Sequence, residues 1–109
     1  MLEPIAPRAE TLAKYGLTLE AWRQLVKRQG GVCAICRTLP KTQRLCIDHV
    51  HVRGWAAMEP GARALFVRGL LCFFCNKYYC GRAITVRKAR NLVEYLEQEM
   101  PFNVARDAA

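Results

Sequence analysis

A chain of 109 residues with 52% hydrophobic content is enough for one small domain and too apolar for a disordered tail. Its 17 Lys and Arg outnumber 9 Asp and Glu, and a formal charge of +8 carried from Arg8 to Arg106 suits a phosphate backbone better than a point-like ligand. No apolar run approaches the ~18 residues of a membrane span, and MLEPIAPRAE lacks the basic start and apolar stretch of a secretory signal, so a membrane partner is not expected and a cytoplasmic location is.

Residues 1–17, with Pro4, Pro7 and Gly16, read as an N-terminal arm with a short helical turn near Ala9–Tyr15. Thr18 is a candidate N-cap. Leu19, Trp22, Leu25 and Val26 then recur at helical spacing until Gly30-Gly31 ends the run. Next come VCAIC, a turn over Thr38–Thr42, and RLCIDHVHV, which alternates as a strand does; strands around Cys33–Cys36 and Leu45–Val50 would form a hairpin-like ribbon. The stretch from Arg53 to Arg68 holds Gly54, Pro60 and Gly61 and reads as a loop with a helical turn around Ala62–Phe66. GLLCFFCNKYYCGR then carries an apolar run into a second cysteine pair. Thr85 caps a final helix of about fourteen residues, with Val86, Ala89, Leu92, Val93, Leu96 and Met100 on one face and Pro101 as its stop. Arg87, Lys88, Arg90 and Glu94 form its solvated face. Residues 18–100 thus read as one domain, followed by a frayed tail over 101–109. Trp22 and Trp55 read as packing residues.

Six cysteines in a reducing compartment call for something other than disulfides. Cys33 and Cys36, and again Cys72 and Cys75, form two C-x-x-C pairs, and each pair can grip one tetrahedral ion from a tight turn. Together they predict a closed structural zinc site. A thioredoxin-like redox pair would sit in a βαβ pattern, which is absent here, and four free thiols in paired register would be a coincidence. Cys46 and Cys80 fall outside the pairs and read as half-buried thiols.

With sulfur assigned to zinc, Asp48, His49 and His51 are left for chemistry. A regular strand would put the two histidines on one face and Asp48 on the other, so cooperation between Asp48 and His49 requires a break in strand geometry. A carboxylate suits a hard cation such as Mg²⁺ or Mn²⁺, and an imidazole suits a general base, a pairing that describes metal-assisted phosphodiester hydrolysis. Asn76, directly after Cys75, is either a second hard ligand or a cap for the turn or helix there; spacing leaves both open.

The runs CAIC, IDHVH and VRGLLCFFCN together resemble the recombination endonuclease VII family of bacteriophages, a branch of the HNH nucleases. The resemblance covers roughly Thr18 to Gly81, including Gln29-Gly30. It implies a small α+β fold with a ββα-metal (His-Me finger) core, stapled by the four-cysteine zinc site and flanked by helices. It also implies that Asp48 and Asn76 bind the catalytic Mg²⁺ or Mn²⁺, that His49 is the general base, and that His51 contacts phosphate or assists the transition state. Arg68, with Arg53 and Lys77, is expected to contact nucleic acid. The implied activity is hydrolysis of branched DNA such as Holliday junctions by a homodimer, in the cytoplasm of a phage-infected cell. Val50 stands where the family often has an acid, and Cys46 where some relatives have another histidine. Two other readings are a general nicking or packaging-associated HNH endonuclease, and a non-catalytic zinc module that binds nucleic acid through its charge.

Overall fold

The computed structural model describes residues 2–102; the expected frayed tail lies outside them from residue 103 onward. Helix α1 (Ala9–Lys14) occupies the expected helical turn and buries Leu12. Gly16 follows with φ of 71°, and a Cβ there would collide with the backbone carbonyl of Pro60, so only glycine lets this corner close. Helix α2 (Leu19–Arg28) starts as its cap predicts, with Thr18 Oγ1 accepting from Ala21 N at 3.0 Å, and buries Trp22. Gln29 is its C-cap, and Gly30 and Gly31 continue with φ of 69° and 78°.

The first cysteine pair is a turn, which corrects the expected strand over Cys33–Cys36. Arg37 N donates to Cys33 O at 3.1 Å, and Cys33 N donates to Thr38 O at 2.9 Å. An extended chain would send residues three apart to opposite faces, whereas sulfurs that share an ion must converge. The ribbon therefore has a different second member. Strand β1 (Cys46–His49) pairs antiparallel with β2 (Val67–Leu71), which comes from the end of the expected loop and the start of the apolar run.

Their register runs Cys46 to Leu71, Ile47 to Leu70 and Asp48 to Gly69, then jumps to His49 opposite Val67. The extra residue is Arg68, which makes a β-bulge on β2 at the step between Asp48 and His49. Between the strands lie a 3-10 turn (Trp55–Ala57) and helix α3 (Pro60–Ala64). Helix α3 begins ahead of the expected turn because proline is preorganised for a first helical position.

Helix α4 (Phe73–Tyr78) packs on both strands, and its N-cap is Cys72, whose sulfur accepts from Cys75 N at 3.4 Å. Helix α5 (Val86–Glu97) is capped by Thr85, whose Oγ1 accepts from Lys88 N at 3.1 Å. It ends ahead of Pro101, which disfavours helix in the preceding residue, so Met100 lies beyond it. The core joins Leu12, Trp22, Leu45, Ile47, Leu70 and Leu71 to Cys33, Cys72 and Cys75, so the sulfur cluster closes one end of it. Helix α5 buries no residue. No described helix is long and apolar enough to cross a membrane.

Candidate metal centre and active site

The two cysteine turns meet. Their four Sγ atoms all lie within 4.8 Å of one another, and Cys36 Sγ is 3.8 Å from Cys72 Sγ. That separation matches the edge of a tetrahedron whose sulfurs stand about 2.3 Å from a central ion, so the donor set fits zinc. Backbone amides also point at the sulfurs, with Ile35 N donating to Cys33 Sγ at 3.4 Å as Cys75 N does to Cys72 Sγ. The Thr38 hydroxyl, 3.1 Å from Cys36 Sγ, and the Thr38 backbone lower the Cys36 thiol to about 6. Burial pushes Cys75 up to about 12. Cys46 and Cys80 remain outside the cluster as half-buried thiols, both raised by burial.

Asp48 is the one acidic residue among the described buried positions, at 5% exposure. Its partner is the bulge residue: Arg68 Nε donates to Oδ2 at 2.8 Å and Nη2 to Oδ1 at 3.2 Å, while Nη2 also reaches His49 O at 3.4 Å. The guanidinium therefore spans the step at which the ladder breaks. This pairing stabilises a carboxylate that would otherwise be costly to bury. It also means that the expected phosphate contact of Arg68 shares the side chain with Asp48.

His49 lies on the neighbouring rung among aromatic rings. Its imidazole stacks on Trp55 with centroids 4.1 Å apart and planes 20° apart, with Tyr15 at 5.8 Å and His51 at 5.0 Å. Burial lowers its pKa below the ordinary 6.5, helped by the positive charge of His51 and opposed by Asp48, so the imidazole is neutral at pH 7. Arg63 braces these walls by donating to Lys14 O at 2.8 Å, Ala56 O at 2.9 Å and Met58 O at 3.0 Å, and it stands 5.3 Å from the Trp55 ring. His49, exposed His51, Trp55, Arg53 and Arg82 line one open cleft of about 620 Å³.

Asn76 lies inside α4, one residue past Cys75, so the capping alternative is excluded; Cys72 fills that role. Asn76 is half-buried, with its backbone N donating to Cys72 O at 3.0 Å, and its side-chain amide makes no hydrogen bond to a described residue. The cysteine turn fixes where it sits. Lys77 turns away over the rings of Phe73 and Tyr78, at 5.6 and 5.5 Å, rather than lining the His49 cleft.

Tyr15, Trp55 and Arg63 shape the site without having been singled out for it by their sequence positions. Trp55 carried the one usable signal, a large aromatic in a polar loop four residues after His51. Gln29 is a further structural member of the site. Its Nε2 donates to Leu70 O at 2.8 Å and Val32 O at 2.9 Å, and its Oε1 accepts from Leu70 N at 2.8 Å.

The family model of recombination endonuclease VII matches residues 8–98. Two phage proteins are similar over 92 residues: the Gene 59 protein of Mycobacterium phage D29, 38% identical, and the Gene 59 protein of Mycobacterium phage L5, 37% identical. Each match covers 84% of this chain and 46% of the relative, so the chain spans about half the length of the relatives it matches. No solved structure matches. The matched segment takes in the sulfur cluster, the β1 motif, Asn76 and most of α5, and the chain belongs to the recombination endonuclease VII family.

Proposed function

We propose that this chain is a divalent-cation-dependent DNA endonuclease that hydrolyses phosphodiester bonds in branched DNA such as Holliday junctions, as part of a homodimer. The observation that carries the reading is the pairing, on consecutive residues, of a buried carboxylate and an imidazole kept neutral by its surroundings, beside a cleft that carries Arg53 and Arg82. A neutral imidazole can take a proton from an attacking water at physiological pH. His49 is that base, and its stacking on Trp55 fixes the plane of the ring. His51, exposed beside it, faces the phosphate.

Asp48 and Asn76 would hold Mg²⁺ or Mn²⁺, since one anionic and one amide oxygen suit a hard cation that keeps most of its water. When bound, such a cation supplies charge neutralisation at the phosphate and at the leaving oxygen. Arg68 keeps Asp48 ionised and aimed, and Arg53, with Lys77 farther along α4, meets the flanking backbone. The sulfur cluster holds zinc and has a structural role: it sets α4, and hence Asn76, against β1. Val86, Leu92, Val93 and Leu96 on α5, which are 68%, 48%, 51% and 65% exposed, give a second copy of the chain an apolar face to cover.

The test is cleavage of a four-way junction beside a linear duplex of the same sequence, with Mg²⁺ or Mn²⁺. Faster junction cleavage, lost in His49→Ala and Asp48→Ala with zinc content intact, is expected. Equal rates on the two substrates would favour a general nicking or packaging-associated endonuclease. Salt-sensitive binding without turnover under any divalent cation would leave the non-catalytic zinc module.

A further inference from the structure

Arg68 also lines a second hollow, of about 260 Å³, together with Arg28, Arg37, Gln29 and Ala34. Its three guanidiniums come from three separate elements. Arg28 is the last residue of α2, Arg37 follows the first cysteine turn at a left-handed φ of 61°, and Arg68 is the β-bulge residue. The fold brings like charges together here, and no acidic residue lines the hollow.

The frame is rigid. Gln29 is bonded to the Leu70 backbone, Ala34 N donates to Leu70 O at 3.1 Å, and Arg37 Nε donates to Ala34 O at 3.2 Å. Those bonds leave the Nη nitrogens of Arg37 and Nη1 of Arg68 without a hydrogen bond among the described residues. Converging like charges with uncommitted donors cost free energy unless an anion completes the site.

We propose that this hollow seats a backbone phosphate of the nucleic-acid substrate, next to the phosphate that is cleaved. The inference rests on the nuclease reading and deepens it by naming where the strand runs: from the His49 cleft past Arg68 to the turn that carries Cys33 and Cys36. Because Arg37 is held by that turn, the structural ion is also required to present one wall of the phosphate seat.

The experiment is equilibrium binding of a labelled duplex DNA to the zinc-loaded protein over a range of salt, with neither chelator nor added divalent cation. The double variant Arg28→Gln with Arg37→Asn removes both charges, Asn being chosen because it tolerates the left-handed backbone. Its slope of log affinity against log salt should fall by about 1.8, near 0.9 for each lost contact, with roughly tenfold weaker binding at low salt. Arg28→Gln alone, which leaves the cysteine turn untouched, should give about half that change.

An unchanged slope in the double variant overturns the proposal, as does an equal loss in Arg8→Gln with Arg23→Gln, which changes charges outside the hollow. Displacement of the duplex by micromolar inorganic phosphate would assign the hollow to a free anion and also overturn it. Cleavage is scored separately. A wild type that binds with the predicted slope yet never cleaves would refute the nuclease reading and leave the phosphate seat standing.

Discussion

The side chain of Gln29 pairs with the backbone of Leu70 as a third strand would, accepting from its N–H and donating to its carbonyl, both at 2.8 Å. Leu70 is fully buried, and β2 has β1 on its other edge, so the amide satisfies groups that water cannot reach. Gln29→Ala should cost about 2 kcal/mol, or roughly 10 °C in Tm by calorimetry. An unchanged Tm would mean that these bonds add nothing. Gly69 belongs to the same arrangement, since a Cβ there would come within 2.8 Å of Gln29 Oε1.

One zinc ion per chain is expected by elemental analysis of the purified protein. A zinc site of this kind is coupled to folding, because its ligands converge only in the folded chain. Chelation or Cys75→Ser should therefore unfold the domain cooperatively, as seen by circular dichroism, whereas Cys46→Ser and Cys80→Ser should keep both metal and fold. Retention of a full zinc equivalent by Cys75→Ser would contradict the assignment of the four ligands. Affinity should also weaken as pH falls, because the cation binds thiolates.

Cleavage should depend on pH through His49. Its pKa in the folded chain lies below the ordinary 6.5, chiefly because of burial, so activity should hold to pH 6.5 and decline on the acid side of it. Trp55→Ala uncovers the ring and should move that decline upward, toward 6.5, in a pH-rate profile. The same residue links pH to stability. A histidine whose folded pKa is depressed contributes stability that is present above the unfolded pKa and lost as pH falls through the folded one. A profile that Trp55→Ala leaves unmoved would remove His49 from the role of base.

Helix α5 presents Leu92 and Val93 to solvent at about half exposure, an arrangement that a second copy of the chain would relieve. Leu92→Glu should convert a dimer to a monomer in sedimentation equilibrium, with the midpoint of zinc-dependent folding little changed. A wild type that is monomeric at assay concentrations would remove the homodimer from the proposed function.

What could be read from the sequence was local or fixed by chemistry. Thr18 and Thr85 announce helices through their caps, and two C-x-x-C pairs announce a tetrahedral site because thiolates at that spacing have few other uses. The strand partner of β1 was not legible, since Val67–Leu71 follows a segment rich in breakers and pairs across it by tertiary contact. The break in geometry needed to bring Asp48 and His49 together was foreseen as a requirement. Its location was not, because the extra residue sits on the opposite strand. Tyr15 and Trp55 come to His49 from 34 residues before it and 6 after it, and no periodicity in the chain encodes such a meeting.

Arg68 is at once the residue that breaks the ladder and the cation that answers Asp48. A one-residue deletion at that point would regularise the two strands and withdraw the guanidinium in the same event. Drift in the length of β2 is thereby penalised twice, and a functional homologue that lacks the insertion would have to recruit its counter-ion from another element. Geometry and charge in this hairpin are inherited as a single unit.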